Sequence, residues 1–201
     1  MDKDKYHHGS LKNALIEKGL VLLNSGGSEA FSIRKVADMC GVSHAAPYRH
    51  FKNKAELIEA ITMSVSKEFM EAVEKALAQN EGDYGKQIEI LGCVYVKFMV
   101  ENPEHFKFIF LTNHNNPIIF YNGAFIQEQR WPVNLFKKLF TGYLESAGRG
   151  GADWSAQALV FWSLVHGLSV MLINNTVSPE GNYLDLVSAI LQKNLGLMGN
   201  T

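Results

Sequence analysis

Hydrophobic residues recur along most of the chain at the three- and four-residue spacing of one helical face. Ser10 can cap a first helix over residues 11–24, which Gly26-Gly27 should end. The same spacing predicts further helices, separated by polar or Pro/Gly stretches, with Pro132 as a kink or restart in the seventh. These further helices cover about 33–39, 44–50, 53–78, 86–101, 104–111, 123–146, 153–176 and 182–197.

The composition supports a folded, helical chain. Of 201 residues, 47% are hydrophobic and 19% are charged, which supplies a core and argues against disorder. Five prolines and scattered single glycines argue against a sandwich or barrel of many short strands. We therefore expect an all-α fold of about nine helices, with a three-helix head over residues 1–54 and a helical bundle over residues 55–201.

Charge is unevenly distributed, although the net charge is only −1. Residues 1–54 hold nine Lys or Arg against five Asp or Glu, a balance of +4. The remaining residues hold ten against fifteen, a balance of −5. A basic head on an acidic body is the asymmetry expected of a protein that meets nucleic acid phosphates through its head alone.

The cysteines and the N-terminus argue against a secreted or metal-binding protein. Cys40 and Cys93 are far apart and belong to no CxxC or Cys/His spacing, so we expect reduced thiols, no metal and no cofactor. The polar start and the apparent lack of an apolar run of ~18 residues predict a cytoplasmic protein that does not enter the membrane. Neither a GxSxG, an HExxH nor a dinucleotide fingerprint is present, so we do not expect an enzyme.

The stretch from Phe31 to Lys54 has the organisation of a helix-turn-helix. Ser32 can cap a short first helix, Gly41 can supply the turn, and Ser43 can cap a second short helix. Small residues at the start of the second helix would let it enter a DNA major groove about 12 Å wide. An ordinary helical hairpin with a solvated charged face is the alternative that this generic pattern leaves open.

Side chains after the turn are the candidate DNA contacts. His44 can reach base edges or phosphate, whereas Tyr48 and Arg49 come one turn later, towards the flanking backbone. Lys54 lies in the first turn of the next helix, beside free N–H groups that attract anions. The full set of candidate DNA-binding residues is Ser32, Ser43, His44, Ala45, Ala46, Tyr48, Arg49, His50 and Lys54.

The residue pattern of this stretch is highly specific. It consists of Ser32, Val36-Ala37, Gly41-Val42-Ser43, Tyr48-Arg49-His50-Phe51 and Lys52-Asn53-Lys54. In this pattern, over about residues 6–60, the chain resembles the tetracycline-repressor (TetR) family of regulators. Pro47 departs from the leucine that is commoner in that family, at a place near a helix start where a missing N–H costs little. The resemblance implies base contacts from His44, Ala45 and Ala46, and phosphate contacts from Tyr48, His50 and Lys54.

A second resemblance lies in residues 162–167, Trp-Ser-Leu-Val-His-Gly, which are similar to the signature of a TetR-family ligand-binding domain called WHG. Trp162 and His166 are four residues apart and so share a helical face, and Gly167 would let another backbone approach closely. A core tryptophan packed on a hydrogen-bonded core histidine is the alternative to direct ligand contact. Aromatic residues are abundant in the middle helices and suit an apolar pocket. The candidate pocket residues are Tyr95, Phe98, Phe110, Trp131, Trp162 and His166.

The last two predicted helices carry more apolar residues than one packing face needs. The helix over 153–176 is apolar on several sides, and Val187 and Leu191 belong to the apolar stripe of the last helix. The resemblance implies that two such helices from each of two chains form a four-helix interface. An interior helix within one chain is the alternative.

Together these features predict a DNA-binding transcriptional regulator. The resemblance implies an Ω-shaped homodimer on a near-palindromic operator, a repressor that blocks polymerase until a small-molecule effector releases it. One alternative is a helical ligand-binding or carrier protein that no longer binds DNA. A second alternative is an uncharacterised enzyme, for which the sequence offers no candidate catalytic residue.

Overall fold

The computed structural model describes residues 3–111, 118–126 and 132–200. Over these residues the chain forms eight α-helices, a 3-10 helix (Pro47–Arg49) and one two-stranded hairpin, which confirms the predicted helical fold. The hairpin consists of β1 (Phe120–Tyr121) and β2 (Ala124–Phe125). The α-helices are α1 (Lys3–Ala30), α2 (Ile33–Met39), α3 (Lys54–Leu77), α4 (Tyr84–Glu101), α5 (Pro103–Leu111), α6 (Val133–Ser146), α7 (Trp154–Ile173) and α8 (Tyr183–Asn200).

The chain divides into two compact units. The first unit is Met1–Glu68 with Asn102–Asn115, and the second unit is Phe69–Glu101 with Asn116–Thr201. These units differ from a division at residue 54, because α5 and most of α3 share a core with α1 and α2. A division of function at that residue stays a prediction.

The core of the first unit is one apolar cluster to which α1, α2, α3 and α5 all contribute. Leu15 and Leu57 are fully buried, and Phe108 of α5 lies in the same cluster. Burying a side chain of this size contributes about 1.5–3 kcal/mol. Gly19 allows α3 to come close, since a Cβ there would lie 2.7 Å from a methyl carbon of Ile61. The cluster thus gives α2 and the turn after it a rigid base.

Helix α1 is longer than the sequence pattern predicts. It runs from Lys3 to Ala30, so Ser10 lies inside the helix instead of capping it, and Gly26-Gly27 does not end it. A glycine inside a helix costs about 1 kcal/mol relative to alanine. Burial of Leu23 and its apolar neighbours on the same helix offsets that cost.

The hairpin replaces the start of the predicted seventh helix over 123–146, and that part of the prediction was wrong. Its turn is Asn122-Gly123, with φ values of 50° and 80°. Positive φ at both central residues is what a two-residue type I′ turn requires, and Asn-Gly favours it. Helix α6 begins only at Val133, directly after Pro132, which accords with the helix-breaking geometry of proline.

Helix α4 is central to the second unit, where it packs against α6, α7 and α8. A Cβ at Gly92 would lie 2.5 Å from a methyl carbon of Leu191 on α8 and 3.1 Å from the ring of Phe161 on α7. On α6, a Cβ at Gly142 would lie 2.5 Å from the ring of Tyr84. The lack of a side chain at Gly92 therefore lets α4 pack closely on α7 and α8, and the lack of one at Gly142 lets α6 pack closely on α4.

Candidate functional site

The turn after α2 fixes the direction of the segment that follows. The N–H of Val42 donates to the carbonyl of Ala37, and the N–H of Gly41 donates to that of Asp38, each at 3.1 Å. This pair of hydrogen bonds is a Schellman motif. Gly41 has a φ of 67°, where a side chain would cost about 1–2 kcal/mol.

The segment after the turn is not the α-helix predicted over 44–50. In that helix the carbonyl of Ser43 would accept from the N–H of residue 47, and Pro47 has none. The Ser43 carbonyl instead accepts from Ala46 at 2.9 Å, and the Pro47 carbonyl accepts from His50 at 2.9 Å. Both are bonds between residues three apart, so the segment forms turns and a 3-10 helix. The missing N–H of Pro47 matters more than expected, because the fourth residue of the predicted helix would donate its first helical hydrogen bond.

Most of the candidate DNA contacts lie on the surface of the first unit. Ser32 caps α2 as predicted, because its Oγ accepts from the N–H of Lys35 at 3.2 Å. Ser32, Ala46, His50 and Lys54 are half-buried. The exposed candidates are Ser43, His44, Ala45, Tyr48 and Arg49.

The imidazole of His44 is paired with a side chain of α2 that the sequence analysis did not single out. Nε2 of His44 lies 2.7 Å from Oδ1 of Asp38, and both side chains are exposed. An exposed pair of this kind adds at most about 1 kcal/mol to stability. Its consequence is therefore the orientation of the imidazole, because one ring nitrogen is committed to Asp38 and Nδ1 takes no part in the pair.

Two lysines lie over buried aromatic rings beside this segment. Nζ of Lys54 is 5.6 Å from the centroid of Phe31, and Nζ of Lys12 is 5.9 Å from the centroid of Phe51. At these distances a ring face attracts a cation, so both charges are held close to the helix-turn-helix. Lys12 belongs to α1 and was missed, because only the tertiary contact links it to Phe51.

In the second unit, a buried tyrosine and a histidine join α4 to α7. The hydroxyl of Tyr95 lies 3.1 Å from Nδ1 of His166. Burial raises the pKa of Tyr95, and a hydrogen bond with Trp162 opposes this increase only in part. Burial also lowers the pKa of His166. Tyr95 and His166 are therefore both neutral, and the tautomer of His166 determines which of them donates the hydrogen bond. The ring of Trp162 packs 5.8 Å from that of Phe136 on α6.

A carboxylate joins α4 to α8 in the same unit. Glu89 accepts from Ser188 at 2.8 Å, from Gln192 at 3.1 Å and from Lys86 at 3.1 Å. Burial alone raises the pKa of Glu89, but these hydrogen bonds and the charge of Lys86 outweigh it, and the pKa is lowered. Glu89 was missed because its partners on α8 lie about a hundred residues further along the chain.

Sequence profiles of two known families match the two parts of the chain. The profile for bacterial regulatory proteins of the tetR family matches residues 15–61, and the profile for the tetracyclin repressor-like C-terminal domain matches residues 88–192. The second match alone covers more than half of the chain. This chain belongs to the TetR family. Its C-terminal domain is of the WHG type, and the members of the family are DNA-binding transcriptional regulators and not enzymes.

Relatives of this TetR-family chain are regulators too. The uncharacterized HTH-type transcriptional regulator YvkB of Bacillus subtilis is 27% identical over 157 residues, which cover 76% of this chain and 78% of YvkB. The class C tetracycline repressor protein of Escherichia coli is 42% identical over 50 residues, which cover 25% of this chain and 23% of that repressor. Similarity to the class C repressor is thus confined to a short stretch.

Solved structures share the fold of this TetR-family chain. A protein of unknown function from Rhodococcus sp. RHA1 has a TM-score of 0.73 at 23% identity, covering 96% of this chain and 98% of the other. A TetR-family transcription regulator from Marinobacter aquaeolei VT8 has a TM-score of 0.67 at 16% identity, covering 94% and 97%. At such identities the likeness concerns the fold.

Only part of the predicted effector pocket of this TetR-family chain lies together. Tyr95, His166 and Trp162 are joined as described above, and the ring of Phe98 lies 5.1 Å from that of Phe69, which also contacts Tyr95. Phe110 belongs to the first unit instead of the second. Trp131 lies outside the described residues. The places of Phe98, Phe110 and Trp131 in an effector pocket stay predictions.

Helix α7 buries one face and leaves the opposite face open. This helix of 20 residues is long and apolar enough to cross a membrane by length and composition, which the sequence analysis overlooked, and 22% of its most apolar window is buried. A Cβ at Gly167 would meet no atom of the described residues within 4 Å, so none of them makes the close approach expected there. The open face consists of Ala156, Val160, Ser163, Gly167 and Met171.

The residues of α8 that were expected at an interface between copies lie in the core of the chain. Val187 is 0% exposed and Leu191 is 1% exposed, and Leu191 packs on Gly92 of α4. That assignment was wrong, since the apolar stripe of α8 is used within the second unit. Leu186 and Ile190, which are only half-buried, lie off this stripe.

Proposed function

We propose that this TetR-family regulator is a repressor that binds a near-palindromic operator as a homodimer. A small, uncharged and largely apolar effector, bound in the second unit, lowers its affinity for that operator. The observation that carries the effector part is the neutral Tyr95–His166 pair beside Trp162.

DNA binding is supported by the surface after the Gly41 turn. Tyr48 and Arg49 are exposed there, and Lys12 and Lys54 are held beside them by aromatic rings. Cationic and hydroxyl side chains around one exposed segment suit phosphate contacts on both sides of a groove. A two-fold dimer would place two such segments on half-sites about one helical turn apart, ~34–36 Å.

The class of effector follows from the chemistry around His166. Tyr95 and His166 are both neutral and already hydrogen-bonded to each other, and aromatic rings surround them. A charged ligand would find no opposite charge in this pair, whereas an apolar molecule would gain from contact with the ring faces. One hydrogen bond to the half-buried imidazole would orient such a ligand.

A second copy of the chain is the partner that we assign to α7. Val160 and Met171 are 53% and 44% exposed on a face that also contains small residues. Among them is Gly167, whose added Cβ would meet none of the described residues within 4 Å. Small residues let two helices approach closely, and apolar ones reward burial. A regulator that binds the chromosome works in the cytoplasm, so a protein and not a membrane should cover this face.

The coupling between effector and operator is a difference in affinity. An effector can release DNA only if it binds the DNA-free arrangement more tightly than the DNA-bound one. Thermodynamic reciprocity then requires operator DNA to weaken effector binding by the same factor.

The effector part is tested with full-length protein on a fluorescein-labelled operator, identified by recovering DNA bound to the protein in the source organism. Uncharged aromatic and aliphatic compounds are added, and release of DNA is followed by anisotropy. Tyr95→Phe should raise the concentration needed for release roughly five-fold, because the imidazole that orients the effector loses the hydrogen bond of about 1 kcal/mol that holds it in place. Tyr121→Phe is the matched control, since Tyr121 is 64% exposed. Release by charged compounds only would contradict the proposal.

The assembly is tested by sedimentation. Val160→Glu should produce monomers, because a buried unpaired charge costs on the order of 3–5 kcal/mol. Met63→Glu, on an apolar residue of α3 that is 67% exposed, is the control and should leave the dimer intact. A wild-type chain that is monomeric at micromolar concentration would refute the homodimer.

The alternative function, a helical ligand-binding or carrier protein without DNA binding, makes a different prediction. Such a protein would not be retained on DNA at low salt, whereas the regulator should be retained and then released as salt increases. The exposed side chains of His44, Tyr48 and Arg49 after the Gly41 turn favour the DNA-binding regulator over the carrier protein, because they can contact bases and phosphates.

A further inference from the structure

The pair formed by Asp38 and His44 bridges the two halves of the helix-turn-helix. Asp38 lies on the last turn of α2, and His44 follows six residues later, after the Schellman turn at Gly41. The backbone carbonyl of Asp38 is itself an acceptor in that turn. The position of the carboxylate relative to the returning chain is therefore set by backbone hydrogen bonds.

A carboxylate beside Nε2 selects one tautomer of a neutral imidazole. The neutral ring has one N–H donor and one bare nitrogen acceptor, and a carboxylate can only accept. At 2.7 Å from Oδ1 of Asp38, Nε2 must carry the proton. Nδ1 is then the bare nitrogen, and the ring offers any partner outside this pair an acceptor.

We propose that Asp38 is a positioning residue that makes His44 read an exocyclic amino group in the major groove. This proposal rests on the proposed DNA-binding function. The amino groups N4 of cytosine and N6 of adenine are the donors that base edges present in that groove. Guanine presents only acceptors there, and thymine presents an acceptor and a methyl group. An acceptor on His44 therefore favours cytosine or adenine at one position of each half-site.

A phosphate contact through the same ring is disfavoured. The bare Nδ1 would face phosphate oxygens that are themselves acceptors, and the carboxylate of Asp38 adds a negative charge nearby. Tyr48 and Arg49, which bring an O–H and a cation, are better suited to phosphates. We therefore expect His44 to contact a base, and Tyr48 and Arg49 to contact the DNA backbone.

The test compares operator duplexes in which each base pair is replaced in turn, with binding followed by anisotropy at pH 8.5. Wild-type protein should prefer cytosine or adenine over guanine or thymine at one position of the half-site, by roughly five-fold or more. Asp38→Ala and His44→Ala should each abolish that preference, and the double variant should show no further change. Asp38→Glu, which restores a carboxylate, should recover part of it.

Glu59→Ala is the matched control for the lost negative charge, because Glu59 is an exposed carboxylate on α3 of the same unit. It should change affinity for every duplex by the same factor. A base preference that persists in Asp38→Ala, or an Asp38→Ala effect that is uniform over all duplexes, would overturn the proposal.

A second measurement does not depend on DNA. Nitrogen-15 chemical shifts distinguish a protonated ring nitrogen from a bare one, and His44→Ala identifies the signals by their loss. The free wild-type protein should show Nε2 protonated and Nδ1 bare, and Asp38→Ala should show a mixture of tautomers. A protonated Nδ1 in the neutral wild-type ring would overturn the proposal even if DNA binds. Absence of DNA binding at low salt would instead refute the proposed function.

Discussion

The hydroxyl of Tyr95 and Nδ1 of His166 are 71 residues apart in sequence but lie 3.1 Å apart, and their hydrogen bond joins α4 to α7 inside the second unit. Burial raises the pKa of Tyr95 and lowers the pKa of His166, so it favours the neutral form of both partners.

The pKa of His166 predicts a pH dependence of stability. Its pKa is lower in the folded chain than the ordinary value of about 6.5, so below that pH the unfolded chain binds more protons. The free energy of unfolding should therefore fall as the pH decreases below about 6.5 towards the lower folded pKa. Urea unfolding at several pH values measures this slope. His166→Gln should reduce it, and an unchanged slope in that variant would contradict the assignment.

The Glu89 network predicts a loss of stability at acid pH. Because the folded pKa of Glu89 is lowered, its contribution is present above the unfolded value of about 4.3 and is lost as the pH falls through the folded value. Glu89→Gln should lower the free energy of unfolding at pH 7 by roughly 1–3 kcal/mol, since charged hydrogen bonds are lost. It should also flatten the acid limb of the stability profile. Glu145→Gln, on an exposed carboxylate of α6, is the control and should do neither.

Two glycines of the second unit should respond to alanine in opposite ways. Gly142→Ala puts a Cβ 2.5 Å from the ring of Tyr84 and should destabilise the fold by about 1–3 kcal/mol. Gly167→Ala meets no atom of the described residues within 4 Å and should instead favour α7 by up to about 1 kcal/mol. Thermal melting of each variant at a concentration low enough to separate the copies tests this contrast. Equal destabilisation of both variants would contradict it.

The cations of the head should govern the salt dependence of DNA binding. Lys54→Ala and Lys12→Ala should each weaken binding to all sequences and reduce the slope of log affinity against log salt by about one, because each removes one phosphate contact. Lys193→Ala, on an exposed lysine of α8, should change neither quantity. An unchanged slope in the first two variants would place the phosphate contacts elsewhere.

Local signals in the sequence accounted for much of the fold. The cap at Ser32, the polar stretch before α4 and the spacing of apolar residues on α4, α7 and α8 predicted these helices to within a few residues of their bounds. The hairpin had a signal as well, the dipeptide Asn122-Gly123, but residues 123–146 were assigned to one helix with Pro132 inside it. Both bounds of α1 were misplaced, because the helix continues through Ser10 at one end and through Gly26-Gly27 at the other.

The candidate site was less predictable because its partners meet only in three dimensions. The family resemblance singled out His44 and His166 from short motifs. Their partners, Asp38 and Tyr95, carry no motif of their own and are recognised only by distance. The interface residues on α8 were misassigned for a similar reason, since an apolar stripe does not reveal which neighbour covers it.

The 3-10 helix at Pro47 also changes how the side chains after it would be spaced along the base pairs of bound DNA. A 3-10 helix advances about 2.0 Å per residue and an α-helix about 1.5 Å, so three residues differ by ~1.5 Å, nearly half of the ~3.4 Å step between base pairs. Side chains up to His50 would thus be spread over a longer stretch of the DNA groove than the same residues on an α-helical recognition helix. Contacts read from an α-helical segment would then be displaced by a fraction of a base-pair step and could not be transferred unchanged, so the operator has to be determined for this protein directly.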